Sequence, residues 1–298
     1  MQVLFPSDPL NPREVEPDFS EECAAARAAG FSTGLIDCEL VMRGDAAGAT
    51  VRVAREECTA LYRGWMLKPA CYESLYEELV RRGVALVNSP TAYRTCHYLP
   101  ESYRCIEQET PRSVWLRSTG AVDFRDIHEL ISVFDDGPLI VKDYVKSQKH
   151  YWHEACFIPR ASDRVAVERV VRNFLDLQGS DLNEGLVFRE FISLKILGSH
   201  PRSGMPLAAE VRTFWYDAEL ILAHRYWDEL TAFDVELPVA HLETIAARVP
   251  SRFFTMDVAM LENGRWLVVE LGDGQVSGLP SSALAPRLFQ EIASRQAP

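Results

Sequence analysis

Two carboxylates, Asp257 and Glu270, each lie inside a short apolar stretch near the C-terminus, FFTMDVAML and RWLVVEL. Only ENG separates the two stretches, and Asn-Gly is the strongest short signal for a two-residue hairpin loop, because a type I′ turn needs positive φ at both central residues. With Asn263 and Gly264 as that loop, the antiparallel register places Asp257 directly opposite Glu270. The sequence therefore predicts an acid pair between two buried strands.

Two like charges in this position need a partner. Side chains that face each other in antiparallel strands have Cβ atoms about 4.5–5.5 Å apart. Like charges about 4 Å apart repel by roughly 4 kcal/mol at an effective dielectric constant of about 20. A divalent cation offsets the repulsion, and carboxylate oxygens suit Mg²⁺. Asp273, in a loop flanked by glycines, is a candidate third ligand. The alternative is that the acids meet lysines or arginines, or that one of them is exposed.

Lys142 follows an apolar run in PLIVKDYVKSQKH, at the end of a predicted inner strand. A lysine there is costly unless its ammonium group meets a permanent anion, and phosphate is the natural one. Lys146 and Lys149 follow in a polar loop that can fold over such a phosphate. The alternative is a solvated loop, because lysines often extend their charged ends into water.

The stretch FREFISL predicts the end of a strand at Glu190, Phe191 and Ile192. Backbone N–H and C=O groups beside apolar side chains suit the edge and the faces of an adenine ring. The segment is thus a candidate nucleotide hinge, or only a place where a strand ends.

Two arginines, Arg212 and Arg225, lie on predicted neighbouring strands, EVRTFWY and AELILAHRYW. Two interpretations stay open for them. They form ordinary ion pairs with Glu210 and Asp228, or they face a phosphate or a substrate carboxylate.

The elements that must position these residues change in character along the chain. In residues 1–95, strands alternate with helices, which predicts a parallel α/β layer. Residues 96–190 combine helices with the lysine-bearing strand, and residues 191–298 are rich in strands joined by short turns, which indicates antiparallel pairing. The predicted architecture is α/β with α+β subdomains, divided at these boundaries.

Composition limits the function classes. The net charge of −12 argues against non-specific binding of nucleic acid, and no apolar run is long enough to span a membrane. Seven scattered cysteines with no C-x-x-C pair indicate reduced thiols. No signal peptide is recognisable, so we expect a cytoplasmic protein; the sequence does not indicate an oligomeric state.

Taken in order, these segments resemble the ATP-grasp superfamily over nearly the whole chain, and YRGWML and ELGDGQVSGLP suggest its R-two-K clade. The resemblance implies an ATP site between the last two subdomains. It implies that Lys142 contacts the α- and β-phosphates, that residues 190–192 hold adenine, and that Arg212 faces the γ-phosphate or an acyl phosphate. Asp257 and Glu270 match the carboxylates that hold Mg²⁺, for which Mn²⁺ is a possible substitute.

The chain departs from the family pattern at two points. The family often has a third metal ligand, Asn, two residues after the glutamate, whereas Gly272 stands here and leaves Asp273 or Gln275 for that role. The phosphate loop usually has glycines, whereas KSQKH implies that Lys146 or Lys149 replaces backbone donors.

The resemblance implies a ligase that joins a carboxylate and an amine through an acyl phosphate, with a small molecule or a peptide as substrate. Arg63 and Lys68, at the end of a predicted N-terminal strand, are candidates to bind the acceptor's carboxylate, or they are a solvated surface pair. Arg225 is a further candidate substrate residue. A kinase with the same ATP site and a non-catalytic nucleotide-binding regulatory protein are the alternatives.

Overall fold

The structure is a computed structural model that describes residues 1–199, 206–227 and 236–296. Its strands are β1 (Gln2–Pro6), β2 (Ser32–Ile36), β3 (Cys58–Tyr62), β4 (Val84–Leu86), β5 (Ser113–Arg117), β6 (Leu139–Asp143), β7 (Phe157–Ile158), β8 (Gly185–Glu190), β9 (Ile196–Ser199), β10 (Pro206–Ala208), β11 (Glu210–Tyr216), β12 (Glu219–Arg225), β13 (Phe253–Met260) and β14 (Trp266–Asp273). Its helices are α1 (Ser20–Ala28), α2 (Cys38–Met42), α3 (Ala46–Ala49), α4 (Pro69–Arg81), α5 (Pro90–His97), α6 (Leu99–Ile106), α7 (Phe124–Ile131), α8 (Arg164–Gln178), α9 (Val239–Ala246) and α10 (Ala285–Ser294).

The N-terminal strands form a parallel sheet in the order β2-β1-β3-β4. Parallel neighbours need crossover connections, and the helices between these strands supply them. The predicted parallel α/β layer is therefore confirmed. Ser89 caps α5, which leads from the end of this layer toward the next sheet, because its side chain accepts a hydrogen bond from the N–H of Ala92.

The central sheet is antiparallel, in the order β5-β8-β6-β7. Helices α7 and α8 cover one of its faces, where Val141 and Phe188 pack into the core. Successive side chains of a strand point to opposite faces, so Ile140 and Lys142, on either side of Val141, point away from these helices. The uncovered face of β6 is the one that carries Lys142.

The C-terminal sheet is antiparallel as predicted, in the order β12-β11-β13-β14. The predicted two-residue loop is wrong. Met260 pairs with Trp266, the N–H of Leu261 donates to Arg265 O, and only Gly264 in the turn has positive φ, which is typical of a three-residue loop with a glycine bulge. A second bulge shifts the register between Asp257 and Val258, so that Asp257 still pairs with Glu270. The predicted pair is confirmed, although two irregularities produce it.

The N-terminal and C-terminal sheets share one core, in which Phe5 and Leu61 pack with Phe214, Phe253 and the apolar face of α10. All seven cysteines are free thiols, as expected. Within the three described ranges, no helix combines the length and the apolar character needed to span a bilayer. The division at residues 95 and 190 stays a prediction.

Candidate active site

The acid pair lies beside two basic side chains that come from different sheets. Arg212 neighbours Asp257 on the adjacent strand and donates from Nε to Oδ1 at 2.8 Å and from Nη2 to Oδ2 at 2.7 Å. Lys142 Nζ, on the central sheet, lies 3.2 Å from Glu270 Oε2. The acids therefore do meet basic residues, and these are the same Lys142 and Arg212 whose positions suggested a phosphate site.

Burial and charge act against each other in this cluster. Burial raises the pKa of Asp257, although its hydrogen bonds with Arg212 oppose that change. Burial also disfavours the charge of Glu270, but Lys142 and Arg212 outweigh it and lower its pKa. Glu210 points to the same sheet face two residues before Arg212. Burial and the charges of Asp257 and Glu270 raise its pKa to about 8. Of the two interpretations left open for Arg212, the ion pair with Glu210 is not the one found, because Arg212 pairs with Asp257.

The loop after Lys142 is organised by Asp143, a fully buried residue that sequence reasoning missed. Its carboxylate accepts hydrogen bonds from the backbone N–H groups of Val145 and Lys146 and from the side chains of Gln178 and Asn183. A buried carboxylate with so many donors holds the loop in one conformation. The sequence feature that could have revealed Asp143 is a second charged residue directly after Lys142 in the apolar run IVKDYV.

A cavity of about 380 Å³ opens in front of these residues. Lys142, Lys146, Lys149 and Arg212 line it together with Asp257 and Glu270, and Met66, His97, Leu99 and Ser102 form a wall from the N-terminal half. The ammonium group of Lys149 lies 5.5 Å from the centre of the Trp227 ring and 5.9 Å from that of Tyr226. The structure thus brings the predicted lysines, Arg212 and the acid pair to one cavity.

A second, smaller and more apolar pocket of about 170 Å³ is lined by Glu190, Phe191 and Ile192. Phe191 packs edge-on against Trp152, with ring centres 5.8 Å apart. The N–H of Phe191 donates to Pro138 O at 2.9 Å and is thus occupied. Ile192, the next residue, also lines this pocket.

Arg189, which sequence reasoning also missed, lies at the base of this pocket and is 4% exposed. Its Nη2 donates to Thr110 Oγ1 at 2.6 Å, and Nη2 lies 3.4 Å from Val268 O. Its Nε has no partner among the described residues. Burial lowers the pKa of Arg189 to about 10, so the guanidinium group is still charged at neutral pH. The sequence feature that could have revealed Arg189 is its position directly before the predicted hinge in FREFISL.

The two pockets lie next to each other along two strands. On β6, Ile140 lines the apolar pocket and Lys142 lines the cavity, two residues further along the same face, which is roughly 6.6 Å. On β14, Val269 lines the apolar pocket and Glu270 lines the cavity. Val269 is the extra residue of the bulge opposite Asp257 and Val258, and bulges often re-aim side chains at functional sites. The whole site therefore has an apolar end and a charged end.

The chain matches the model of the family described as ATP-grasp domain, R-two-K clade family 3, over residues 130–292, which is more than half of its length. The chain belongs to this ATP-grasp family. No curated protein matches it.

Solved structures show the same fold for this ATP-grasp chain. It is similar to D-cycloserine synthetase DcsG, with a TM-score of 0.62, 15% identity and 99% of each chain covered. It is similar to a RimK domain ATP-grasp protein from Sphaerobacter thermophilus DSM 20745, with a TM-score of 0.60, 15% identity and 98% of each chain covered. For the ATP-grasp ligase PsnB, in complex with a precursor peptide and AMPPNP, the TM-score is 0.57 at 13% identity, with 99% of this chain and 96% of that chain covered.

The predicted third metal ligand does not join the acid pair. Asp273 is the last residue of β14, three positions after Glu270; it lines the same cavity, but its carboxylate is held by other residues of the protein. Its carboxylate accepts hydrogen bonds from Asn88 Nδ2 at 2.6 Å and from the N–H of Gln275 at 2.9 Å. Burial raises its pKa to about 7. Gln275 is fully buried as well, and its Nε2 donates to Tyr72 Oη.

Arg63 is bound inside the protein, so it is neither an open substrate residue nor part of the solvated surface pair that the sequence suggested. It is 1% exposed and donates to both carboxylate oxygens of Glu22, at 2.8 Å each. Its Nη1 also donates to the carbonyl groups of Gly274 and Ser277. Arg63 therefore fixes the loop after β14 to the N-terminal sheet. We call Arg63, Asn88, Asp273 and Gln275 the joint.

The other two predicted substrate residues also lie outside the cavity lining. Lys68 is exposed and precedes the first turn of α4. Arg225 pairs with Val211, whereas its neighbour His224 pairs with Arg212, so Arg225 points to the face opposite the cavity. Its predicted partner Asp228 lies outside the described residues.

The acid pair fits a magnesium ion that arrives with a nucleotide. Mg²⁺ is usually held by one or two carboxylates plus substrate phosphates, with water completing the shell. Asp257 and Glu270 supply two such carboxylates at the charged end of the site. Nucleotide phosphates and water would supply the remaining ligands.

Proposed function

We propose that this protein is an ATP- and Mg²⁺-dependent ligase that joins a carboxylate to an amine through an acyl phosphate. The observation that carries the proposal is that the hinge pocket lies beside the cavity lined by Lys142, Arg212 and the acid pair, on the same two strands. This arrangement suits a nucleotide whose base lies in the apolar end and whose triphosphate lies in the charged end.

Each side chain has a task in this proposal. Ile192 offers backbone to the adenine edge, and Phe191 and Trp152 provide the apolar walls. Lys142 and Lys146 bind the phosphates. Asp257 and Glu270 would hold Mg²⁺, which neutralises charge on the β- and γ-phosphates when it is bound.

The proposed reaction has two steps, phosphorylation of the substrate carboxylate and attack of the amine on the acyl phosphate. A substrate carboxylate oxygen attacks the γ-phosphorus, ADP leaves, and Arg212 stabilises the negative charge of the transferred group. The amine nitrogen next attacks the carbonyl carbon of the acyl phosphate, and phosphate leaves as the amide bond forms and the nitrogen loses a proton. Arg212 is suited to this role because its guanidinium group already binds carboxylate in the cavity.

The proposed substrates are a small molecule or a peptide that carries the carboxylate, and an amine. PsnB, which shares the fold, was solved with a precursor peptide, and this supports testing peptides. We propose the cytoplasm as the location, because unpaired thiols are typical of a reducing compartment. The three-part division at residues 95 and 190 is part of the same proposal.

The test is an ADP-release screen with MgATP, a panel of amino acids and short peptides, and hydroxylamine as a small amine that traps acyl phosphates. The proposal predicts ADP, inorganic phosphate and hydroxamate in equal amounts, and Glu270→Gln abolishes all three. Lys68→Met is the matched control, because Lys68 is exposed and outside the cavity lining. ADP without inorganic phosphate or hydroxamate would instead indicate a kinase, and nucleotide binding without any ADP release would favour a regulatory protein.

A further inference from the structure

His97 is a side chain of the cavity that nucleotide binding does not use. It is the last residue of α5 and lies in the wall that faces the lysine loop. Its ring stacks on Tyr93 with ring centres 5.0 Å apart and an interplanar angle of 24°. Tyr93 is itself fixed, because its hydroxyl donates to Leu67 O at 2.7 Å and its ring stacks on Tyr72 at 3.9 Å. The imidazole ring is therefore held in place by its stacking contact.

The ring nitrogens of His97 are available to a ligand. His97 lines the open cavity, so its imidazole ring can be reached by a bound ligand. Burial, and then the charge of Lys146, lower the pKa of His97 to about 4. The imidazole is thus neutral at physiological pH, with one nitrogen able to accept a proton.

The other titratable groups of the cavity are less suited to accept a proton. The carboxylate of Asp257 is bound by Arg212, and that of Glu270 by Lys142. Asp273 is already hydrogen-bonded to Asn88 and to the N–H of Gln275. The charged and titratable groups around His97 are Tyr93 on its own helix, Tyr98 before α6, Lys142, Tyr144, Lys146 and Lys149 on β6 and its loop, and Arg212, Tyr226, Asp257, Glu270 and Asp273 on the C-terminal sheet.

We infer that His97 is the catalytic base that accepts a proton from the attacking amine. The inference rests on the proposed ligase function and adds the group that this function lacks. As the amine nitrogen bonds to the carbonyl carbon, its N–H proton passes to the free ring nitrogen of His97. The C–O bond to phosphate then breaks, phosphate leaves with the electron pair, and the imidazolium ion releases its proton to solvent.

Nucleotide binding makes His97 a more effective base, because it raises the pKa of the imidazole. Lys146 faces the same cavity and disfavours a positive charge on His97. A bound triphosphate offsets the charge of Lys146 and places negative charge nearby, and both effects raise the pKa of the imidazole. A base with a pKa closer to the working pH accepts protons more effectively, so proton transfer improves only when ATP is present.

The direct test is a pH titration of the His97 ring by ¹H–¹³C NMR in the wild-type protein, with and without MgAMP-PNP. The His97→Gln spectrum identifies the signal by its loss. We expect a midpoint well below the ordinary histidine range in the free protein and a rise of at least about one pH unit with nucleotide. Saturated nucleotide binding with an unmoved His97 midpoint would overturn the inference and leave the ATP site intact. Absence of nucleotide binding would overturn the proposed function itself.

Kinetics supply a second readout, with hydroxylamine and the best carboxylate from the screen. His97→Gln should lower kcat by about 10²–10⁴-fold with little change in the KM for ATP, which is the usual contribution of a general base. Added imidazole should restore part of the rate in His97→Ala, which a merely structural role would not produce. His241→Gln is the matched control, because His241 is half exposed and bonds Glu109 on another surface. An unchanged kcat in folded, nucleotide-binding His97→Gln would contradict the assignment.

Discussion

The cavity and the joint both bury charged side chains at the ends of apolar strands, but they differ in what surrounds those charges. In the joint, Arg63 has two carboxylate oxygens and two carbonyl groups as partners. In the cavity, Lys142 has a single contact with Glu270 beside an open volume of about 380 Å³. A buried charge with many internal partners holds the fold together, whereas one with a single displaceable partner can bind a ligand.

The largest expected effect comes from breaking the joint. Arg63→Met removes four hydrogen bonds and leaves Glu22 buried without its cation. Loss of one member of a buried ion pair destabilises a protein by about 3–5 kcal/mol. Urea unfolding should show this loss in the free energy of unfolding. A variant that is as stable as wild type but fails to bind substrate would show that Arg63 binds substrate. It would then contradict the assignment of the joint to fold stability.

The cavity should respond in the opposite way to a matched change. Lys142→Met removes one charge-assisted contact to phosphate, and ATP affinity should fall by about 100-fold while the free energy of unfolding changes little. Isothermal titration calorimetry measures the affinity. Lys68→Met, with an exposed lysine outside the cavity lining, should bind ATP like wild type. Equal losses in both variants would show that overall charge, and not the cavity, attracts the nucleotide.

The joint should also show a pH dependence of stability through Asp273. Because burial raises its pKa to about 7, the folded protein holds a proton that the unfolded chain releases near the ordinary aspartate value. The resulting stabilisation is complete at low pH and is lost as the pH rises toward 7. Between about pH 5 and 8, wild type should lose about 2–3 kcal/mol of unfolding free energy relative to Asp273→Asn. Parallel curves for the two proteins would contradict the raised pKa.

The smallest expected effect tests the hairpin that carries the acid pair. Gly264 has φ of +83°, whereas Asn263 has no positive φ. Gly264→Ala should therefore cost about 1 kcal/mol of stability and Asn263→Ala less, in thermal unfolding. Similar costs at both positions would instead support the two-residue loop.

The sequence predicted the fold class and the pairing of Asp257 with Glu270. It did not predict the strand register that produces this pair, or the hydrogen-bond partners of Asp273 and Arg63. Asp257 pairs with Glu270 because the register shift of the three-residue loop is cancelled by that of the bulge at Val269. No local sequence pattern predicts this bulge. Asp273 was assigned to a loop, whereas β14 extends to it and its carboxylate bonds Asn88 and the N–H of Gln275. Arg63 looked like a ligand-binding residue because its partner Glu22 is 41 residues away in the chain.

The most direct test of the central claim is calorimetric titration of ATP into wild type and Glu270→Gln, with and without Mg²⁺. We predict that wild type binds ATP tightly only with Mg²⁺, and that Glu270→Gln loses this dependence while it stays folded. Absence of ATP binding to wild type under both conditions, or tight Mg²⁺-dependent binding to Glu270→Gln, would contradict the assignment of the acid pair as the metal site of an ATP-dependent ligase.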